Sequence, residues 1–394
     1  MATQESKGMS SMQPQVPFEA CEACDCQMKR KKVAIYLPSL RGGGAERVMV
    51  GLANGIAARG YEVDIVLARA EGPYLADVSR YVRLVDLGAT RVIASLPGLV
   101  RYLRRERPEA MLSALNYANV VAIIAKGLAQ VSTRLVVSEH SNISLSKQFS
   151  RGLIPRLVFR LMAWVYPYAD GIVAVSSGVA DDLAQVIGMV RDRIKVIYNP
   201  IYTPAVESLS KEPIPHPWLG ADSLPVIIGM GRLTLQKNFP SMIHAFDKVR
   251  TQHPCRLMIL GEGELRGELE ALVKALNLDE EVIFPGFVKN PYAYMSRAAL
   301  FVLSSGWEGF GNVLAEAMAC GCPVVSTDCP SGPAEILGNG KWGRLVPVGD
   351  VNALAAAILA TLKEDDHPDV VSRARDFGVE QAVVGYLDVL GMQV

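Results

Sequence analysis

Residues 304–327, which read SSGWEGFGNVLAEAMACGCPVVST, restrict the fold of this chain more than any other segment. An apolar strand at 299–303 leads into a glycine-broken loop, then a helix, then a second apolar strand at 323–326. Two strands joined through a helix form a parallel βαβ unit, whose sheet is covered by helices on both faces. The segment therefore predicts an open α/β sheet.

Two carboxylates, Glu308 and Glu316, are separated by seven residues at the turn from strand to helix. Ligands of open α/β sheets bind beyond the carboxyl ends of the strands, where a carboxylate can accept hydrogen bonds from vicinal hydroxyls. Gly306, Gly309 and Gly311 surround the first glutamate and favour a binding loop. The alternative interpretation is a helix that merely carries a glutamate in its first turn.

A second segment, 225–238, reads PVIIGMGRLTLQKN and predicts a short buried strand at 226–230. Arg232 and Lys237 follow that strand, and helical periodicity resumes at Phe239. A guanidinium, an ammonium and a helix N-terminus together suit a polyphosphate. Two solvated surface cations are the alternative, but next to the glutamate pair they indicate a diphosphate beside a hydroxyl-rich group.

With these residues in view, the chain resembles a retaining nucleotide-sugar glycosyltransferase of the GT-B fold, in the large family numbered four. The resemblance covers roughly residues 31–390. It rests on Arg232 and Lys237, the glutamate pair in WEGFGNVLAEAMACGCPVV, GGGAERV at 42–48, Glu139 and His140 in VVSEHSN, and SGPAEIL at 331–337.

The resemblance implies an α/β protein with two Rossmann-like doubly wound domains that face each other across a cleft. Residues 31–200 would form the acceptor-binding domain and 201–369 the nucleotide-sugar domain, with 201–224 as the linker. A C-terminal helix at about 370–394 would cross back onto the first domain, and residues 1–30 would be a disordered tail.

The resemblance also implies roles for single residues. Glu316 would bind the ribose, Glu308 the donor sugar, and the two cations the diphosphate, whose developing charge they would offset. No metal or other cofactor is then required, and the chain has no Asp-x-Asp triplet. Residues expected to take part in the reaction are His140, Arg232, Lys237 and Glu308; those expected to bind substrate are Gly43, Gly44, Glu139, Val288, Phe310, Gly311, Asn312, Val313 and Glu316.

The N-terminal half predicts a second set of βαβ units. A strand at 32–37, the turn PSLRGGGAER, a helix at 48–59 and a strand at 62–67 follow one another. Gly43 and Gly44 allow a phosphate or an acceptor to approach the backbone closely, or they simply form a tight turn. The segment is not the dinucleotide-binding fingerprint, because the third glycine of that motif is missing. Further strands are expected at 111–114, 135–138, 171–175, 195–198, 255–260 and 282–285.

Charge is distributed unevenly along a chain whose net charge is zero. Residues 31–200 carry 22 Lys and Arg against 13 Asp and Glu, whereas residues 201–394 carry 15 against 23. The segments 101–107 and 147–168 place cations among apolar and aromatic residues, which suits an anionic membrane surface, or else a core-facing helix with a solvated cationic side. No nucleic-acid motif is visible.

Cysteines and apolar runs bear on localisation. Cys21, Cys24 and Cys26 lack an evident fourth metal ligand, which favours a disordered tail over a zinc site. Neither a signal peptide nor an eighteen-residue apolar span is expected. The predicted location is the cytoplasm, with peripheral association to the inner face of the plasma membrane.

The predicted reaction transfers a hexose or N-acetylhexosamine from an NDP-sugar, UDP being favoured over GDP, to a lipid-linked glycan in surface polysaccharide or lipopolysaccharide synthesis. The base and the sugar would be selected around residues 286–290 and around Phe310. The alternatives are a non-hydrolysing UDP-sugar epimerase, which needs more acid and base groups than His140 supplies, and an inactive nucleotide-sugar-binding subunit.

Overall fold

The computed structural model describes residues 30–149, 153–220 and 223–392. The first of two sheets is parallel throughout, and its strands run in the order β3-β2-β1-β4-β5-β6-β7. Its strands are β1 (Lys32–Leu37), β2 (Glu62–Leu67), β3 (Val82–Asp86), β4 (Ala110–Ala114), β5 (Arg134–Glu139), β6 (Gly171–Ala174) and β7 (Ile194–Val196).

The second sheet is also parallel and has the order β10-β9-β8-β11-β12-β13. Its strands are β8 (Val226–Met230), β9 (Arg256–Leu260), β10 (Val282–Gly286), β11 (Leu300–Leu303), β12 (Val324–Thr327) and β13 (Arg344–Val346).

Helices connect the strands and cover both sheets. They are α1 (Gly44–Ala58), α2 (Leu96–Glu106), α3 (Asn116–Ala129), α4 (Ile143–Phe149), α5 (Leu153–Val165), α6 (Ser177–Ile187), α7 (Pro204–Ser210), α8 (Phe239–Arg250), α9 (Arg266–Ala275), α10 (Pro291–Met295), α11 (Asn312–Ala319), α12 (Pro333–Ile336), α13 (Val351–Leu362), α14 (Val370–Ala374) and α15 (Val379–Val389). None of the helices in the described residues is long and apolar enough to cross a bilayer.

Burial of both sheet faces explains why the central strands are continuous apolar runs. All five residues from Val33 to Leu37 in β1 are fully buried, as expected for a strand with helices above and below it. The strand order reverses direction between β1 and β4 in the first sheet and between β8 and β11 in the second. Crevices at such reversal points are where doubly wound folds bind ligands.

The C-terminal helix α15 packs on α1. A Cβ atom at Gly55 would lie only 2.7 Å from Val383, so the absent side chain permits this close helix contact. Arg134 in β5 donates from Nε to the Val389 carbonyl at 2.7 Å. The last helix of the chain is therefore attached to the elements of the first sheet.

The sequence predicts most strands with bounds close to those observed, and β1, β2 and β8 agree residue for residue. It misses β3 and β13. Strand β3 is an edge strand with exposed Leu84, and β13 has only three residues. Neither therefore has the long apolar run that identifies a buried strand.

The described part of segment 147–168 is helical up to Phe149 in α4 and from Leu153 to Val165 in α5. One expectation needs correction. Segment 201–224 is not simply a linker, since it contains α7, which packs on α10. The proposed tail cysteines Cys21, Cys24 and Cys26 lie outside the described residues.

Candidate active site

Lys237 and Glu308 meet at the reversal point of the second sheet, where β8 and β11 end side by side. Lys237 Nζ lies 2.6 Å from Glu308 Oε1, and Ser305 donates to the same oxygen at 2.6 Å. The Glu308 residue is only 7% exposed. The sequence therefore correctly predicts that the cation-bearing loop and the glutamate-bearing loop lie together.

Backbone contacts hold these two loops against each other. Gly306 N–H donates to the Gln236 carbonyl at 2.8 Å, and Ser304 Oγ donates to the Lys237 carbonyl at 2.8 Å. Lys237 ends a short 3₁₀ turn, Leu235–Lys237, just before α8. Its ammonium is thus fixed near a helix N-terminus, as an anion site requires.

Arg232 stays exposed, in contrast to Lys237. It has no ion pair among the residues the structure describes. Its positive charge opposes a rise in the pKa of Glu46, which burial moves above the ordinary value. Arg232 is thus an exposed cation without an ion pair among the described residues, in the same loop between β8 and α8 as Lys237.

Glu316 is held by a residue that the sequence did not single out, Arg47 at the start of α1. Arg47 Nη1 lies 3.2 Å from Glu316 Oε1, and its guanidinium lies 5.0 Å from the centre of the Tyr292 ring. Glu316 is 5% exposed, and its Oε2 atom is buried without a hydrogen-bond partner in the described structure. The unpaired oxygen is the feature a ribose hydroxyl would satisfy. Arg47 follows Glu46 in the segment GGGAERV, and this segment is the sequence signal that could have identified Arg47.

Gly44, which Gly43 precedes, opens α1 and contacts the opposite loop. Asn312 Nδ2 donates to the Gly44 carbonyl at 3.4 Å, and Asn312 Oδ1 accepts from Asn199 Nδ2 at 2.7 Å. A Cβ on Gly44 would lie 3.1 Å from the Asn312 amide nitrogen. The group that lies close to Gly44 is thus the Asn312 side chain of the protein itself.

The loop between the two glutamates is packed tightly on its surroundings. A Cβ at Gly309 would lie 2.0 Å from the His140 carbonyl oxygen. Phe310 is 2% exposed, with its ring centre 5.5 Å from that of Tyr198 and 5.2 Å from that of Phe377. Phe310 therefore belongs to the core by its side chain, and only its backbone can bind a ligand.

The remaining predicted residues of these loops have fewer constraints. Gly311 has a φ of 96°, which favours glycine, and precedes α11. Val313 in the first turn of that helix is half-buried. Val288 is half-buried in the loop after β10. None of the contacts described for Val288 links it to the glutamates.

Glu139, which the sequence predicts to bind substrate, is buried. It is 1% exposed, and its Oε1 atom accepts from Asn119 Nδ2 at 2.9 Å and from the Tyr166 hydroxyl. Burial raises the pKa of Glu139 to about 7. The carboxyl end of β5 turns this side chain into the first-domain interior, because alternate residues of a strand point to opposite faces.

His140, the next residue, is half-buried, with its Nε2 atom 3.1 Å from Ser138 Oγ. Its Nδ1 atom is buried and has no partner within the described residues. Burial lowers the pKa of the imidazole to about 4, so the ring is neutral at physiological pH.

Glu335 in the segment SGPAEIL joins the two halves of the molecule. Its carboxylate accepts from the backbone N–H groups of Ser177 and Gly178 at 2.8 and 3.0 Å, at the N-terminus of α6. Ser176 Oγ donates to the Gly309 carbonyl at 2.7 Å. The loops around the glutamate pair are thus fastened to the first domain at several points.

The described residues contain no group of three His, Cys, Asp or Glu side chains placed to hold a metal ion. The loops at the reversal point of the second sheet carry the paired Lys237 and Glu308 and the exposed Arg232, and Glu316 lies in the helix that follows. Cations and carboxylates together suit an anionic, hydroxyl-bearing ligand.

Comparison with known families names this class. Residues 42–203 match the family described as Glycosyltransferase Family 4, and residues 211–376 match Glycosyl transferases group 1. The chain belongs to this family of GT-B glycosyltransferases and is a glycosyltransferase.

Curated relatives extend over most of the chain. It is 33% identical over 346 residues to the N-acetylgalactosamine-N,N'-diacetylbacillosaminyl-diphospho-undecaprenol 4-alpha-N-acetylgalactosaminyltransferase of Campylobacter jejuni, covering 85% of this chain and 91% of that protein. It is 30% identical to the lipopolysaccharide core biosynthesis glycosyltransferase LpsE of Rhizobium meliloti, covering 81% and 85%. Among solved structures, Anabaena HepE in complex with UDP and glucose matches with a TM-score of 0.75 and 22% identity, covering 92% of this chain and 100% of that one.

Proposed function

We propose that this glycosyltransferase transfers a sugar from a UDP-sugar to a hydroxyl of a lipid-linked glycan, with retention of anomeric configuration and without a metal. The observation that carries the proposal is the contact of Lys237 Nζ with Glu308 Oε1 at 2.6 Å, together with the exposed Arg232 in the same loop as Lys237. Cations at this point suit the diphosphate of a nucleotide sugar, and the carboxylates suit hydroxyl groups.

The cations would supply what a metal supplies in other transferases. As the bond from the sugar to the diphosphate breaks, negative charge accumulates on the leaving group. Arg232 and Lys237 stabilise that charge, and Glu316 holds the nucleoside through its ribose. UDP as the donor nucleotide is supported by the HepE complex, and a lipid-linked acceptor by the undecaprenol-linked substrate in the name of the Campylobacter relative.

Isothermal titration calorimetry with UDP and with GDP, in the presence of EDTA, tests the donor site. We expect UDP to bind without metal and Arg232→Ala to weaken binding by about tenfold or more, because one charge-assisted hydrogen bond contributes about 1.5–3 kcal/mol. Arg232 is exposed, so the loss does not come from unfolding. The Lys248→Ala/Lys274→Ala variant, which removes two exposed charges from α8 and α9, should bind UDP normally.

Other results would redirect the proposal. Tighter binding of GDP would change the donor base, and binding that requires Mg²⁺ would contradict the metal-free mechanism. Conversion of a UDP-sugar to its epimer without acceptor would indicate the epimerase reaction. No nucleotide binding at all would reject the donor site.

We further propose that the first domain docks on an anionic membrane through α2 and α5, two helices that each pack on α3. Leu157 and Trp164 of α5 are 58% and 78% exposed. Arg101 and Arg105 of α2 and Arg160 of α5 are exposed as well. Exposed aromatic and aliphatic side chains beside arginines suit the headgroup region of an anionic bilayer.

Co-sedimentation with vesicles tests this docking surface. We expect binding to vesicles that contain phosphatidylglycerol, little binding to pure phosphatidylcholine, and a severalfold loss for Trp164→Ser. Tyr81→Ser, which removes a 67% exposed aromatic residue just before the edge strand β3, is the matched control and should bind as the wild type does. Equal binding by the Trp164 variant would reject the surface.

A further inference from the structure

Arg47 of α1 reaches from the first domain to Glu316, the buried carboxylate in α11 of the second. Its Nη1 atom lies 3.2 Å from Glu316 Oε1, and its guanidinium lies 5.0 Å from the centre of the Tyr292 ring. A hydrogen bond joins the same guanidinium to the Tyr74 side chain. The Arg47 side chain is nevertheless 33% exposed, so a ligand in the cleft can contact it.

The same part of the cleft contains the starts of two helices. Asn312, the first residue of α11, donates from Nδ2 to the carbonyl of Gly44, the first residue of α1, at 3.4 Å. Arg47 and Glu316 each lie about one turn further along these helices. Helix N-termini attract anions, and the Arg47 guanidinium strengthens that preference.

The loop that carries Arg232 lies near the same helix start. Burial raises the pKa of Glu46, the neighbour of Arg47 in α1, and the positive charge of Arg232 opposes that rise. The interaction between two charges weakens with distance, so Arg232 lies close to the first turn of α1. Cations of both domains therefore border one region of the cleft.

The covalent structure of a nucleotide places its phosphates near Arg47. Glu316 Oε2 is buried and has no hydrogen-bond partner in the described structure, which suits a ribose hydroxyl. The phosphates of a nucleoside diphosphate are attached to the same ribose, so they lie within one sugar ring of that hydroxyl. A guanidinium has five N–H donors, and the described contacts with Glu316 and Tyr74 use only some of them.

We propose that Arg47 is a donor-binding residue whose guanidinium contacts the diphosphate of the nucleotide sugar directly, as a third cation that the first domain adds to Arg232 and Lys237. The inference rests on the proposed function, because it takes the ligand to be a nucleoside diphosphate. A planar guanidinium can hold phosphate oxygens on one edge and a carboxylate on another. Both domains thus bind the donor at once.

A double-mutant cycle tests whether Arg47 contacts the phosphates or only supports Glu316. The wild type, Arg47→Gln, Glu316→Gln and the double variant are titrated with UDP and with GDP by calorimetry in EDTA. We expect Arg47→Gln to weaken nucleotide binding by about tenfold or more in the Glu316→Gln background, because a charge-assisted hydrogen bond to phosphate is lost. If Arg47 acted only through Glu316, it would have no effect in that background.

Two controls separate a phosphate contact from other effects. Uridine, which lacks phosphates and is measured by its competition with UDP, should keep its affinity when Arg47→Gln is added to Glu316→Gln. Arg83 near the amino end of β3 donates from Nε to the buried Asp64 carboxylate at 2.8 Å, so Arg83→Gln breaks the same kind of ion pair away from the carboxyl ends of the strands. Arg83→Gln should bind the nucleotide as the wild type does. The double variant removes both members of its ion pair and leaves neither charge unpaired.

Unchanged nucleotide affinity on adding Arg47→Gln to Glu316→Gln, or an equal loss for uridine, would overturn the inference and leave the donor site standing. An equal loss in Arg83→Gln would also overturn it, because destabilisation would then explain the effect. A wild type that binds neither UDP nor GDP would reject the proposed donor site and the inference together.

Discussion

The buried carboxyl group of Glu139 should make the first domain less stable as the pH rises, and Glu139→Gln should remove that dependence. Folding raises the pKa of this group from 4.5 to about 7 because the side chain leaves water. A carboxyl group with a raised pKa binds its proton more tightly in the folded state. Its contribution to stability is complete below pH 4.5 and is lost as the pH rises to 7.

The size of the effect follows from the shift. A difference between 4.5 and about 7 corresponds to about 3 kcal/mol at pH 8 and to less than about 1 kcal/mol at pH 5. For a domain of this size, about 3 kcal/mol corresponds to roughly 6–12 °C in melting temperature. Glutamine keeps the acceptor for the Tyr166 hydroxyl and for Asn119, and it carries no charge at any pH.

Thermal unfolding followed by circular dichroism at pH 5 and pH 8 measures the prediction. We expect Glu139→Gln to melt several degrees above the wild type at pH 8 and close to it at pH 5. Comparing two proteins at each pH cancels the titration of all other groups. A melting difference that is the same at both pH values, or larger at pH 5, would refute the reasoning.

Three further substitutions test the contacts that close the cleft. Gly309→Ala should abolish most transferase activity while circular dichroism stays native, because the new methyl group would lie 2.0 Å from the His140 carbonyl oxygen; full activity would contradict the packing. Arg47→Gln should lower the unfolding free energy in urea by about 2 kcal/mol, since it leaves buried Glu316 without its cation; an unchanged midpoint would contradict the pair. Glu335→Ala should lower the unfolding free energy by about 1 kcal/mol, because it removes the carboxylate that caps α6. It should also increase the radius of gyration in small-angle scattering as the cleft opens. An unchanged radius would show that other contacts hold the cleft closed.

The sequence predicts the fold well because parallel sheets leave a strong pattern. Strands such as β1 and β8 are buried on both faces, so their apolar runs stand out between glycine turns and amphipathic helices. The edge strand β3 and the three-residue β13 lack that pattern.

The sequence predicts the candidate site where charged residues directly follow the ends of strands. Lys237 and Glu308 follow adjacent strands, and topology alone brings them together. Arg47 was missed because its partner Glu316 lies in the other half of the chain, and long-range ion pairs leave no local pattern. Glu139 was assigned to the substrate because it adjoins His140. In the structure the Glu139 carboxylate is buried and accepts from Asn119 and Tyr166.

Charged side chains of the cleft pair with one another, and this affects how a donor binds. Lys237 pairs with Glu308, and Arg47 pairs with Glu316, while Arg232 has no ion pair among the described residues. A UDP-sugar carries a diphosphate for the cations and hydroxyls for the carboxylates, so it can replace both members of each pair at once. A ligand that offers only the diphosphate, or only the hydroxyl groups, leaves a side chain of opposite charge buried and unpaired, which is costly. We therefore expect the sugar and the diphosphate to reinforce each other's binding, so that a UDP-sugar binds more tightly than the separate affinities of UDP and of the free sugar imply.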